Sequence, residues 1–449
     1  MIRLFLSRLF QDPGAWGLPV AAFGMTSAVA FMVAGGSRYF FTLRDRFPDS
    51  GFIEHYAQFY GFLAGVALVL LVVPMVSLMR SAASLMARRR DQRLSSLRLL
   101  GAKTSQLRGL AVAEAAALSL TGILAGAGLY VALMPLVGLI PFAGQPMGVR
   151  GVWLGPGLLF IVACALFLLA VLSSLSGMRR IDVTPLGVRT RTEAGKARWI
   201  RLAAGAGAVV VINTAAHGLN LGSEAVAITL LFMAVLVPLA AVQFVGPWVL
   251  KVLTSLQLRR AKTAVRLIAA RNVLESPQQM WRQIGGVSVT TYAGVIAGCG
   301  IGLVLRVDGA ASLSSEDMIL FGDIQRGVWL TLAVSFVMAA VSVGIHQTAQ
   351  ILDRRELYVS LLKMGMEPRQ LDAVRRFSVM GSLGIVLTVV LVMAAVTALP
   401  IIGSAVVMAP GTVLTALFVV LGGVGVVYIG VLLTGPTLRR TVGEEVSTC

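Results

Sequence analysis

Charge is scarce in this sequence. Asp, Glu, Lys and Arg make up 13% of its 449 residues, roughly half the share usual in soluble domains, and this excludes an ordinary soluble globular protein. Cysteine is also rare. Cys164 and Cys299 lie within apolar runs and Cys449 is the last residue, so no disulfide framework or metal-ligand spacing emerges. The three histidines, His55, His217 and His346, are far apart; a metal site would have to be assembled by folding. The chain lacks an H-E-x-x-H, a G-x-S-x-G and paired intramembrane aspartates, which argues against an intramembrane enzyme. It also lacks a nucleotide-binding P-loop. "GAKT" at 101–104 has its Lys after Ala102 without the spacing to an earlier Gly, and "GKA" at 195–197 lacks the Ser or Thr.

Long apolar runs are abundant. Hydrophobic residues make up 57% of the chain and the mean hydropathy is +0.86. Runs of about 20 residues, long enough to cross a bilayer, recur near 16–36, 57–79, 109–140, 153–177, 202–219, 225–250, 284–305, 327–349, 377–402 and 411–434. They are continuous rather than alternating, so a β-barrel is excluded. The expected fold is an all-α polytopic membrane protein of about ten transmembrane helices. Arg3, Arg8 and the first apolar run have the outline of a signal peptide, but an uncleaved first helix is expected, for a reason given below.

The net charge of +18 would suggest a nucleic-acid partner in a soluble protein. Here its distribution gives a different reading. With the N-terminus inside, the cytoplasmic pieces 1–15, 80–108, 178–201, 251–283, 350–376 and 435–449 hold 32 of the 38 Lys and Arg residues. The other six are Arg38, Arg44, Arg46, Arg150, Arg306 and Arg326, set against eight outer acids, Asp45, Asp49, Glu54, Glu224, Asp308, Glu316, Asp317 and Asp323. This asymmetry places both termini in the cytoplasm, with the lipid bilayer and not nucleic acid as the basic partner. The 33 Arg against 5 Lys fit a GC-rich bacterial genome, so the expected location is a bacterial plasma membrane.

The chain repeats itself. "ARRRDQRLSSLRLLGAKTSQLRG" (Ala87–Gly109) aligns with the stretch 352–376 at one constant offset: Arg90 with Arg354, Leu97 with Leu361, Gly101 with Gly365, Gln106 with Gln370 and Leu107 with Leu371. "RLFLSRLFQDP" likewise resembles "RLIAARNVLESP", with Arg3 and Arg8 against Arg266 and Arg271, and Pro13 against Pro277. The first apolar run is thus equivalent to an internal span, which argues against cleavage. Three parts follow: a four-span unit over 1–190, a two-span linker over 191–263 and a second four-span unit over 264–449. An even number of spans separates equivalent positions, so the two four-helix repeats are parallel. In each, Leu94, Leu97 and Leu100, or Leu357, Leu361 and Met364, recur at near-helical spacing before a glycine suited to a helix end. A helix that extends the second span, a glycine break and a turn into the third span are expected.

Leu97, Arg98, Gly101, Ala102, Glu114, Gly122 and Gly126, together with "DVTPLGVRTR" at 182–191, resemble the signature region of FtsX-like permeases, the family of MacB-type and bacitracin-efflux-type ABC transporter permease subunits. The likeness covers about 1–190 and 264–440. Ser378 stands where Glu114 stands in the first copy, and the loops 37–56 and 306–326 leave no room for the large extracytoplasmic domain of many relatives. The resemblance implies a non-enzymatic membrane subunit. A separate cytoplasmic ABC ATPase, two copies per permease, would bind ATP and Mg; this chain would hold no cofactor or metal. Arg90, Leu94, Leu97, Arg98 and Gly101, with Arg354, Leu357, Leu361 and Gly365, would couple to that ATPase. Glu114, the only acid placed inside a span, reads first as a structural ion pair. The short outer loops favour movement of an amphiphile such as a lipid, peptide or drug. The alternatives are ATP-driven mechanotransmission to an extracytoplasmic partner and, against the parallel repeat and the paucity of intramembrane acids, an ion-coupled secondary transporter.

Overall fold

The computed structural model describes residues 13–99, 104–178, 224–307, 314–353, 355–402, 410–433 and 435. They are almost entirely helical. In chain order the helices are α1 (Pro13–Phe41), α2 (Leu43–Arg46), α3 (Gly51–Leu99), α4 (Thr104–Gly138), α5 (Gly148–Val152), α6 (Pro156–Met178), α7 (Glu224–Arg259), α8 (Ala264–Glu275), α9 (Pro277–Val307), α10 (Ser315–Asp353), α11 (Arg355–Lys363), α12 (Pro368–Ile402) and α13 (Pro410–Leu432). Two-residue strands β1 (Pro141–Phe142) and β2 (Gln145–Pro146) form an antiparallel hairpin between α4 and α5.

Local sequence explains where these helices start. Three of them, α6, α9 and α12, begin at a proline. Proline suits the first helical position, since the N–H it lacks would have no partner there and its φ is already helical. Serine caps two others. Ser50 Oγ accepts from Ile53 N at 3.4 Å at the head of α3. At the head of α10, Ser314 Oγ accepts from Asp317 N at 3.1 Å while Asp317 accepts from Ser314 N at 3.2 Å, a reciprocal capping box. One pair of helix starts keeps the offset of the sequence alignment, Gly51 of α3 with Ser315 of α10. The capping residues Ser50 and Ser314 are paired in the same way.

Among the described residues, five helical segments are long and apolar enough to cross a membrane: Pro19–Phe41, Gly51–Val76, Gly109–Gly138, Ser315–Ile351 and Pro368–Val396. Four further expected spans coincide with α6, α7, α9 and α13; the run at 202–219 lies outside the described residues. The loops expected at 37–56 and 306–326 are partly helical, because α1 continues to Phe41 and α10 starts at Ser315.

The chain divides into two compact units. Unit 1 comprises Met1–Arg191 with Met318–Ile324 and Gly344–Asp353. Its centre is the close pairing of α1 with α4. A Cβ at Gly126 would lie 2.6 Å from the Gly24 carbonyl and 2.6 Å from Ser27 Cβ, so only the bare backbones permit this approach. Towards the hairpin, Phe31, Tyr39, Tyr60, Tyr130, Phe142 and Leu154 form an aromatic-rich buried cluster. Phe40 meets Phe142 edge to face at 5.0 Å between ring centroids.

Unit 2 comprises Thr192–Asp317, Gln325–Val343 and Arg354–Cys449. Here α9 packs against α12, α7 and α13, and α8 lies against α7 and α12. Trp281 on α9 fills the space beside Gly246 and Gly285. Its indole N–H donates to Gln243 Oε1 at 3.1 Å, and Gln243 Nε2 donates to the Gly285 carbonyl at 3.2 Å.

Candidate functional site

The repeated basic stretch forms helix, turn and helix in the second copy. α11 ends in a Schellman motif: Gly365 N donates to the Leu362 carbonyl at 2.9 Å and Met366 N to the Leu361 carbonyl at 3.1 Å. Gly365 adopts φ 91°, a left-handed conformation that costs little only for glycine. Two residues later the chain enters α12. Glu367 N donates to Gln370 Oε1 at 3.2 Å, half of a capping box ahead of Pro368. This turn leaves Met364 at its tip, 74% exposed, with Lys363 and Gly365 also exposed and Leu361 half-buried. Leu357 lies on α11, and Arg354 lies outside the described residues.

In the first copy, Arg90, Leu94, Leu97 and Arg98 all lie on α3, which is continuous from Gly51 to Leu99; their side chains and Gly101 lie outside the described residues. At about 1.5 Å per residue its 49 residues reach far beyond a hydrocarbon core of about 30 Å. The expected extension of the second span is therefore present as one rod. Its counterpart in the second copy covers α10 and α11, with residue 354 between them outside the described residues.

Glu114 is buried on α4, with 5% of its surface exposed. Its counterpart Ser378 is buried where α8 crosses α12. The Ser378 hydroxyl donates to the Ala269 carbonyl at 3.3 Å and accepts from Asn272 Nδ2 at 3.4 Å. Earlier on the same helix Asp372 gathers two arginines, with Arg375 Nη2 at 2.8 Å and Arg376 Nη2 at 2.6 Å. Arg375 also donates to the Val431 carbonyl of α13 at 3.1 Å. Leu371, Arg375 and Ser378 are buried, so this end of α12 is held by polar ties as well as packing.

A second cluster, in unit 1, was not legible in the sequence. Asp323 on α10 is 1% exposed, which makes it a second buried acid on an apolar helix beside Glu114. Its Oδ2 accepts from the Tyr60 hydroxyl at 2.6 Å and from Ala143 N at 2.6 Å. Ala143 and Gly144 form the hairpin tip, with φ 53° and 77°, the paired positive values of a tight hairpin turn. Nearby, the Tyr130 hydroxyl donates to the Val152 carbonyl at 2.7 Å and accepts from Leu154 N at 3.0 Å. Arg38 Nη1 donates to the Trp153 carbonyl at 2.9 Å, and Arg46 Nη1 to the Arg150 carbonyl at 3.3 Å. The prolines and Gly144 in "PFAGQP" were the only local signal for the hairpin; nothing around Asp323 marked it as buried.

Among the described residues no group of three or more His, Cys, Asp or Glu could hold a metal ion. Compared with known proteins, residues 64–183 match the family model described as FtsX-like permease C-terminal. The matched segment takes in most of α3, the turn after it, α4 with Glu114, the hairpin, α5 and α6. No curated protein matches the chain, and no solved structure does.

Proposed function

We propose that this chain is a permease subunit that couples ATP hydrolysis by a separate ATPase dimer to the export or extraction of an amphiphile; the match of residues 64–183 to the FtsX-like permease model, a family whose members are generally the membrane subunits of ABC-type transporters, supports this reading. The observation that carries the coupling is the turn after α11. A Schellman glycine and a capped α12 hold an exposed Met364 beside Lys363 and Glu367. A partner surface needs such a form, an apolar knob with a charged rim. The same Leu and Gly spacing precedes α4 in the matched segment.

The proposed topology has ten spans, two parallel repeats, and both termini in the cytoplasm of a bacterial plasma membrane. It is supported by the shared offset of the helix starts at Gly51 and Ser315 and by the 32 basic residues on the assigned cytoplasmic side. Two similar handles on one permease fit a two-fold ATPase. Pull-down of the tagged chain from native membranes tests this reading: a soluble P-loop ATPase is expected at two copies per permease. Recovery of the chain alone, with transport persisting under an ion gradient after ATP depletion, would overturn it. Gly101→Pro and Arg98→Glu are expected to leave the protein in the membrane and abolish its stimulation of the ATPase; unchanged stimulation would remove these residues from the coupling role.

A further inference from the structure

The hairpin 141–146 is too small to hold itself. Two residue pairs, Pro141 with Pro146 and Phe142 with Gln145, make up its ladder, well short of a self-sufficient sheet. Its position therefore comes from its surroundings: Phe142 inserted into the aromatic cluster and Ala143 N bonded to Asp323. The carboxylate does two jobs through one oxygen, since Oδ2 also takes the Tyr60 hydroxyl of α3. Asp323 comes from the second sequence copy, whereas Tyr60 and Ala143 come from the first; all three fall in unit 1. The equivalent position in the first copy is Phe59, which is 42% exposed, so that position carries no second tie of this kind.

We propose that Asp323 is the positioning residue of a releasable latch at the outer end of the bundle, holding the 141–146 hairpin and α3 to α10 in the state seen here. This inference rests on the transporter reading above. The helix that carries Asp323 runs unbroken for 39 residues to Asp353, next in the chain to the proposed ATPase handle on α11. A helix of that length transmits tilt and axial shift from one end to the other. Hydrogen bonds of 2.6 Å fail once donor and acceptor separate by about 1 Å. Movement at the handle thus reaches the hairpin as a made or broken contact.

Because both bonds fall on one oxygen, the latch needs an acceptor there rather than a charge. Asp323→Asn keeps a carbonyl oxygen and is expected to preserve the latch; Asp323→Leu removes it. The reporter is Met147, buried just beyond the hairpin, changed to Cys in a chain whose Cys164, Cys299 and Cys449 are replaced by Ser. The readout is its reaction with a membrane-impermeant maleimide, measured on the full chain with its co-purified ATPase in membranes.

Asp323→Leu is expected to raise the labelling rate by about tenfold or more, the factor expected when buried donors lose their acceptor. Asp323→Asn is expected to stay near the parent, and Tyr60→Phe to fall between the two. Trapping the ATPase with a non-hydrolysable nucleotide should raise the parent rate towards that of the Leu variant and leave the Leu variant unchanged. Equal rates in parent, Asn and Leu variants would refute the positioning role. If the Leu variant fails to fold, the order of parent, Asn and Tyr60→Phe decides the same point. A parent rate indifferent to nucleotide, with an active ATPase present, would make the tie static and overturn the latch. If no ATPase co-purifies, the transporter reading fails, while the Leu and Asn variants still report whether Asp323 positions the hairpin.

Discussion

Phe59 and Asp323 occupy the same place in two helices that start in register, yet one is exposed and the other is sealed in a polar knot. The same contrast runs down the neighbouring pair. In the first copy α1 and α4 meet through Gly24, Gly122 and Gly126. In the second, the corresponding places on α9 and α12 hold Ser288, Val386 and Val390, all buried. Glu114 stands against Ser378 across the same offset. The two stretches share the serine cap and helix start at Ser50–Gly51 and Ser314–Ser315 and differ in their contact surfaces. Caps and first-turn prolines act within a few residues, so they survive as long as the chain must enter and leave each helix at that point. Contact surfaces answer only to the neighbour, and the neighbours have diverged.

Exchanging residues between the copies would break this comparison most directly. Gly126→Val brings the second copy's residue into the first. It places side-chain atoms against the Gly24 carbonyl, and a loss of about 3 kcal/mol is expected, read as a fall in thermal unfolding temperature in detergent. An unchanged temperature would mean that the α1–α4 approach is not set by glycine. Asp323→Ala removes the acceptor shared by Tyr60 and Ala143 and should cost about 2–3 kcal/mol. Phe59→Ala in the first copy should cost far less in the same assay. Tyr130→Phe deletes the hydroxyl between Val152 and Leu154 at an expected loss of about 1–2 kcal/mol. The smallest effect is assigned to Gly365→Ala, about 1 kcal/mol for forcing a Cβ into the left-handed turn. Gly101→Ala sharpens the comparison: an equal loss would show that both copies end their handles in the same motif, and no loss would show that they differ.

The expected span positions follow the observed helices closely because apolar runs, prolines, serine caps and glycine stops are local signals. The left-handed Gly365 and the helix leading to it were legible for that reason. Asp323 shows where such reading ends. It was counted among acids facing outward in a loop, since a lone carboxylate near a span end is usually solvated. Its burial depends on Tyr60, 263 positions earlier, and on the backbone of Ala143, 180 positions earlier. No pattern near residue 323 records either partner. Glu114, by contrast, stood out because an acid within an apolar run is conspicuous by itself; it is buried on α4.

The sequence by itself determined that this chain is helical and membrane-seeking, roughly where its apolar helices lie, that two stretches echo each other at offsets of 263 and 264, and which family its first copy resembles. Hydropathy, capping chemistry and self-similarity are properties of neighbouring residues and need no fold to be read. The tertiary structure alone decided that α1 and α4 touch through bare glycine backbones, that Ser378 binds α8, and that Asp323 grips a hairpin from the other copy. Those outcomes depend on distances between atoms far apart along the chain, and close packing fixes such distances only when the helices come together.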